Sequence, residues 1–180
     1  MNAPRTAPLI RPLYPDEWAA YRDLRLRSLA ESPDAFYSTL DAESVRSPEE
    51  WAARLAAAAV SGRDCPLVAE LDGKPAGLVW AKMDGVNPAL VHLYQMWVAP
   101  ECRGRGVAQG LLDAALGWAR ERNARFVELE VTRGNSAATR LYERAGFRAV
   151  NAPVPMRPAS GLMLQPMRLV LENVPVPPQA

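Results

Sequence analysis

A chain of 180 residues, 49% of them hydrophobic, is long enough to bury one substantial core, and a net charge of +1 argues against a nucleic-acid or anionic-membrane partner. Two cysteines, Cys65 and Cys102, and one histidine, His92, are too few for a disulfide framework or a metal cluster. No apolar run approaches a membrane span and the N-terminus has no signal-peptide core, so the cytoplasm is the expected compartment.

Residues 1–8 and 172–180 read as flexible, proline-bearing tails around a single domain at 9–171. Leu9 to Leu13 reads as a first strand, set at a sheet edge by Pro12. Asp16 is placed to N-cap a helix through Trp18, Tyr21, Leu24, Leu26 and Leu29, which recur at helical spacing. That spacing leaves Arg22, Asp23, Arg25 and Arg27 mostly on the opposite side. Glu31 to Ser44 reads as a loop with a turn of helix. Ser47-Pro48-Glu49-Glu50 is a strong helix start, with a Ser cap, Pro at the first position and Glu three residues after the cap. The helix runs to about Val60, and Ser61-Gly62 ends it.

Pro66–Leu71 and Lys74–Ala81 flank Asp72-Gly73, a hairpin signal. A turn at Asp84–Pro88 leads into a strand at Ala89–Val98. Val107 to Arg122 is an amphipathic helix with Leu111, Leu112, Ala115, Leu116 and Ala119 inward. Phe126–Val131 alternates as a strand; Asn135 or Ser136 then caps a helix that Gly146 stops. Phe147–Val150 and Leu162–Leu171 are strands separated by a proline-rich loop at Asn151–Ser160. This order predicts an α/β (α+β layered) domain with a mixed, mostly antiparallel sheet, not a doubly wound one.

The chemistry-bearing stretch is Arg103-Gly104-Arg105-Gly106-Val107-Ala108-Gln109, a glycine-rich loop that opens a helix. Glycines let backbone N–H groups turn inward, and the helix N-terminus adds positive potential, a combination that suits an anion. The third glycine of a dinucleotide-binding fingerprint is missing, and so is the Gly-Lys-Ser/Thr of a P-loop. Arg103-Gly104-Arg105-Gly106-Val107-Ala108 resembles the Q/R-x-x-G-x-G/A signature of the GCN5-related N-acetyltransferase (GNAT) superfamily. Leu93–Pro100 and Leu129–Phe147, with its terminal Leu141-Tyr142-Glu143-Arg144-Ala145-Gly146-Phe147, are similar to neighbouring family segments in the same order.

The resemblance implies acetyl-CoA as co-substrate, held between two splayed parallel strands, here Ala89–Val98 and Phe126–Val131. It implies that the main chain of Met96, Trp97 and Val98 pairs with pantetheine, and that strand N–H groups polarise the thioester carbonyl. The amides of Arg103, Gly104, Arg105, Gly106, Val107, Ala108 and Gln109 would cradle the pyrophosphate. Asn135 would contact the cofactor arm as well as cap its helix. Tyr142 would protonate the departing thiolate, with Phe147 in the core. For the base that takes the amine proton there are two candidates. His92 carries an imidazole suited to neutral pH, and Glu130 occupies a strand position where some family members carry a catalytic glutamate. Glu128 is a weaker choice of the same strand parity. Tyr94, on one face with His92 and Met96, is expected beside the acceptor, and Pro48–Val60 and Asn151–Ser160 are expected to wall it. Cys102 is read as incidental. The function implied is acetyl transfer to a primary amine of a small molecule or peptide. A protein N-terminal or lysine acetyltransferase and a non-catalytic acetyl-CoA-binding module remain alternatives, and a homodimer remains open.

Overall fold

The computed structural model describes residues 7–171; the segments 1–6 and 172–180, and the tails expected there, lie outside the described residues. The elements are β1 (Leu9–Pro12), α1 (Trp18–Glu31), α2 (Leu40–Ser44), α3 (Pro48–Ser61), β2 (Asp64–Leu71), β3 (Lys74–Met83), β4 (Leu90–Val98) and α4 (Val107–Glu121). β5 (Phe126–Thr132), α5 (Ser136–Arg144), β6 (Arg148–Ala149), β7 (Val154–Pro155) and β8 (Met163–Val170) follow. The strands form one sheet in the order β1-β2-β3-β4-β5-β8-β6, with β7 paired to β8. Every pairing is antiparallel except β4 with β5.

Local chemistry explains most boundaries. At the start of α3, Ser47 Oγ accepts from Glu50 N at 3.3 Å and Glu50 Oε2 accepts from Ser47 N at 2.7 Å, a reciprocal cap. Asp72 and Gly73 both adopt positive φ, 53° and 74°, as a two-residue hairpin turn requires. The start of α1 differs from expectation. A 3-10 turn at Pro15–Glu17 precedes it, and Glu17, not Asp16, does the local capping, accepting from Tyr14 N at 2.8 Å. Glu17 is fixed in that pose by two hydrogen bonds from Arg11.

Two apolar layers cover the sheet. On one face α4 and α5 bury Leu111, Leu112, Leu116, Tyr142 and Phe147 against Val79, Val91 and Val127. On the other, α1 and α3 bury Tyr21, Leu24, Leu29, Trp51 and Leu55 against Val68, Leu78, Trp80 and Trp97. One side chain breaks the amphipathic pattern of α1. Arg25, expected to lean toward solvent, is only 3% exposed, because it follows Tyr21 and Leu24 on the face turned to the sheet.

The C-terminal half of β4 is set by a bulge. Leu78 pairs with Trp97 and Trp80 with Tyr94, so Val79 faces two residues, Gln95 and Met96. Gln95 absorbs the extra length at φ 59°, and its Oε1 accepts from the Tyr21 hydroxyl at 3.0 Å. The bulge flips the alternation. Tyr94 and His92 remain on the α1/α3 face, whereas Met96 packs into the α4/α5 layer, contrary to the single face that simple parity predicts. Beyond the bulge, Gly77 lets β3 approach β4 closely: a Cβ there would lie 2.6 Å from the Trp97 carbonyl oxygen. Gly77→Ala should therefore destabilise the fold by about 1–3 kcal/mol, the usual cost of overpacking against an atom that cannot yield. Denaturant unfolding at equilibrium checks this, and an unchanged midpoint would refute the backbone contact.

Candidate active site

The parallel ladder between β4 and β5 lasts for three residue pairs, Leu90 with Phe126, Val91 with Val127 and His92 with Glu128. Past these the strands part. β5 stays paired to β8 through Thr132, and β4 stays paired to β3 through Val98, so each keeps one partnered edge and opens the other. Among the described residues, backbone groups on the open edges, at Leu93–Val98 and Leu129–Thr132, have no partner across the split, which a buried backbone does not tolerate unless something else fills the place.

At the end of β4 a 3-10 turn, Pro100–Cys102, leads into the glycine loop. Gly104 and Gly106 take φ of 70° and 83°, and a Cβ at either would meet nothing within 4 Å, so the loop is open on the side where side chains would stand. Gly106 caps α4, and the first backbone bond of that helix runs from Gly110 N to Gly106 O at 2.9 Å. The amides of Val107, Ala108 and Gln109 precede it in the first turn, where no intrahelical acceptor exists. The Arg103 amide is already donated to Pro100 O at 3.3 Å. Its side chain is a strut: Nε donates to Val98 O at 3.1 Å and Nη2 to Glu31 Oε2 at 2.8 Å. Glu31 also accepts from Trp97 Nε1 at 2.9 Å and from Ser32 Oγ. Ser32, Trp97 and Arg103 together pull its carboxyl down to about 2, so it stays ionised. Arg105 pairs with Asp72 of the hairpin turn at 3.2 Å.

A cavity of about 900 Å³ crosses the sheet at the split. His92, Met96, Glu130, Asn135 and Tyr142 all line it, so the candidate catalytic residues and two of the cofactor candidates meet in one space. Trp97, Val98 and the glycine loop lie beyond its lining, at the end of β4. Tyr142 is buried, which pushes its hydroxyl well above the usual phenol range, and among the described residues that hydroxyl has no hydrogen-bond partner. It is thus a protonated donor without an acceptor among the described residues. Phe147, wholly buried, packs on its ring at 5.8 Å and belongs to the core. Asn135 Oδ1 accepts from Ala138 N at 3.2 Å, the N-cap role, while its side of the residue still borders the cavity.

His92 has a partner the sequence did not announce. Its Nε2 lies 2.9 Å from Asp84 Oδ2, in the β3–β4 turn. Asp84 also accepts from Asn87 N at 2.8 Å and Val86 N at 2.9 Å. The Asn87 amide, His92 and the Val86 amide hold the Asp84 carboxyl at about 2. An ionised carboxylate only accepts, so Nε2 must donate, and the neutral imidazole keeps its lone pair on Nδ1. The Asp84–Pro88 turn was legible in the sequence; that its first residue reaches back to His92 depends on the register of the hairpin.

The two glutamates of β5 part company. Glu128 is paired to Arg168 of β8 at 2.5 Å. Glu130 is exposed and, among the described residues, has no ion-pair partner. Burial, together with the fields of Glu130, Asp84 and Glu128, raises the Tyr94 hydroxyl above its ordinary range, which marks this end of the cavity as acidic. On the far wall, α3 contributes Arg54, Ala57, Ala58 and Ser61, as expected for Pro48–Val60 and its end. The Asn151–Ser160 loop is a correction, since none of its residues lines the cavity. Instead Val154 and Pro155 pair with β8, and Arg157 donates to the carbonyls of Phe36 and Pro33, propping the 35–38 segment that does line it. Cys102 packs against both apolar layers and is not among the residues that line the cavity. Among the described residues no metal-binding cluster occurs, and no helix is long and apolar enough to cross a membrane.

Comparison with known proteins accords with this geometry. The acetyltransferase (GNAT) family matches residues 14–147. A mycothiol acetyltransferase from Clavibacter sepedonicus is 33% identical over 144 residues, 80% of this chain and 43% of that protein. The chain spans between 37% and 52% of the length of three curated relatives that it matches. Among solved structures, the acetyltransferase of GNAT family from Streptococcus pneumoniae superposes with a TM-score of 0.79 at 25% identity, covering 92% of this chain and 99% of that one. A Salmonella typhimurium protein solved with its cofactor acetyl-CoA shares the fold at a TM-score of 0.77 and 20% identity, over 96% and 98% of the two chains. With the match extending over more than half of its length and the splayed strands in place, the chain belongs to the acetyltransferase (GNAT) family.

Proposed function

We propose that this chain is an acetyl-CoA-dependent N-acetyltransferase that moves the acetyl group directly to a primary amine. The observation that carries this reading is the split between β4 and β5, an open pair of strand edges beside a glycine turn and crossed by a cavity that holds Tyr142, His92 and Glu130. The residues fit the group. An amide chain such as pantetheine would bond the open edge of β4 at Met96–Val98, beside the Val98 carbonyl that Arg103 already engages, and the amides from Arg105 to Gln109 suit a pyrophosphate. A relative named for acetyl transfer favours an enzyme over a non-catalytic binding module, as does the presence of Tyr142.

Acetyl-CoA supplies an acyl carbon activated as a thioester. Backbone N–H groups of β4 polarise its carbonyl. The amine nitrogen bonds to that carbon as the carbon–sulfur bond breaks. The proton lost by the amine passes to His92 Nδ1, directly or through water, with Asp84 holding the ring in the receptive tautomer. Tyr142 gives its hydroxyl proton to the departing sulfur. Its raised proton affinity is no bar in that setting, because a thiolate released beside the same buried side chains has its own proton affinity raised.

Tyr142→Phe removes a hydroxyl that has no hydrogen-bond partner among the described residues, so the variant should melt like the parent. It should lose roughly 100-fold in kcat, the lower range for a general acid, while its acetyl-CoA affinity by calorimetry stays within about twofold. An unchanged kcat would remove Tyr142 as the acid. Steady-state kinetics assign the base: His92→Gln should lower kcat by roughly 100-fold and Glu130→Gln should leave it within about twofold. The reverse pattern would transfer the role to Glu130.

A further inference from the structure

The buried face of α1 carries a charged side chain with two donors that no group among the described residues accepts from. Arg25 is 3% exposed, and its Nε and Nη1 are buried without a hydrogen-bond partner. Its guanidinium lies 4.6 Å from the centre of the Phe36 ring. Stacking satisfies the face of a guanidinium and leaves the N–H groups on its edge unused. The nearest buried acid is Glu43, and it is already engaged by Arg46 at 2.9 Å and Arg54 at 3.4 Å. A buried cation with empty donors is expensive, so its persistence in a fold calls for an anion that arrives from outside.

Arg25 and Phe36 both line the cavity that crosses the split. Nε and Nη1 are shielded from it, which leaves Nη2 as the donor that the cavity reaches. Arg54 lines it too, over the rings of Trp80 and Tyr21 at 5.3 and 5.9 Å. The opposite end holds Glu130, unpaired among the described residues, close to Tyr94 and the His92–Asp84 pair. The cavity is therefore dipolar, with a cation under α1 and carboxylates at the strand split.

We propose that Arg25 is a specificity residue that binds a carboxylate on the acceptor, so that the substrate class is a primary amine bearing a carboxylate, such as a free amino acid. A single guanidinium without an acid of its own balances one negative charge, and its Nη2 makes a charge-assisted hydrogen bond to a carboxylate. The ammonium end is drawn to the acidic side, where loss of its proton makes the nucleophile. This assignment of ends rests on the acetyltransferase reading; the anion subsite itself does not.

The test compares carboxylates with their carboxamides. The panel is the common α-amino acids with β-alanine, 4-aminobutyrate and 6-aminohexanoate, each beside its carboxamide, with thiol release from acetyl-CoA as the readout. The carboxylates should be preferred by roughly 10- to 100-fold in kcat/KM, the worth of a charge-assisted hydrogen bond, and Arg25→Met should bring the ratio close to one. Arg25→Lys, which keeps the charge and loses the planar edge, should restore part of it. Acetyl-CoA affinity by calorimetry reports whether each variant is folded. A merely structural Arg25 would lower both members of every pair alike, and carboxamides or plain amines turned over as well as carboxylates would overturn the proposal. If no compound is acetylated, the same panel is read by thermal shift with coenzyme A present. A rise with carboxylates that Arg25→Met abolishes supports the subsite, and no rise overturns it. Failure of acetyl-CoA itself to bind would refute the enzyme reading, leaving the thermal shift, run without coenzyme A, to decide the subsite.

Discussion

Two adjacent parallel strands that cannot stay paired are the constraint on which the rest of this structure depends. β5 is bound to β8 along its whole length, and β4 to β3 across a bulge at Gln95. Each strand follows its outer partner, and their shared ladder ends after His92 and Glu128. The open edges cost free energy unless filled, and the protein spends stability to keep them open. The bulge is part of the same device, since it turns Met96 away from Tyr94 and gives the two sides of the split different chemistry.

What surrounds the split then serves to hold it. Gly77 permits the close β3–β4 approach that fixes Trp97 and Val98, and Arg103 ties the Val98 carbonyl to Glu31 at the end of α1. The arginine of the glycine-loop signature is thus a brace in this chain, and the cradle is left to the main chain that follows it. On the α5 side the split meets a protonated phenol without a hydrogen-bond partner among the described residues; on the α1/α3 side it meets carboxylates, an oriented imidazole and, deeper, a buried guanidinium. In the proposed reaction the acetyl donor and the amine acceptor approach from opposite faces and meet at the gap.

Much of this was legible in the sequence, for reasons that are local. The Ser47 cap, the Asp72-Gly73 turn, the αL glycines at 104 and 106 and the apolar stripe of α4 are decided within a few residues, and the chain adopts them as read. The family signature, which lies in consecutive residues, was legible for the same reason. What escaped depends on contacts between distant segments. The bulge at Gln95 is a matter of register with β3 and a hydroxyl from Tyr21, and it undid the simple parity of Tyr94 and Met96. Asp84 reaches His92 only because the hairpin closes in that register. Arg25 reads as a solvated helix position in any window of α1, and its burial appears only once the 33–36 segment, propped by Arg157, folds over it. The Asn151–Ser160 loop acts at second hand for the same reason.

The central claim is that the open edges of the split, with the glycine turn, are the seat of acetyl-CoA. Amide hydrogen exchange read by mass spectrometry, with and without saturating acetyl-CoA, tests it most directly, because filled edge amides exchange more slowly. The account predicts protection concentrated at residues 93–98 and 105–109, with 49–60 on α3 unchanged. Protection absent from those two stretches, or strongest on the α3 side, would contradict it.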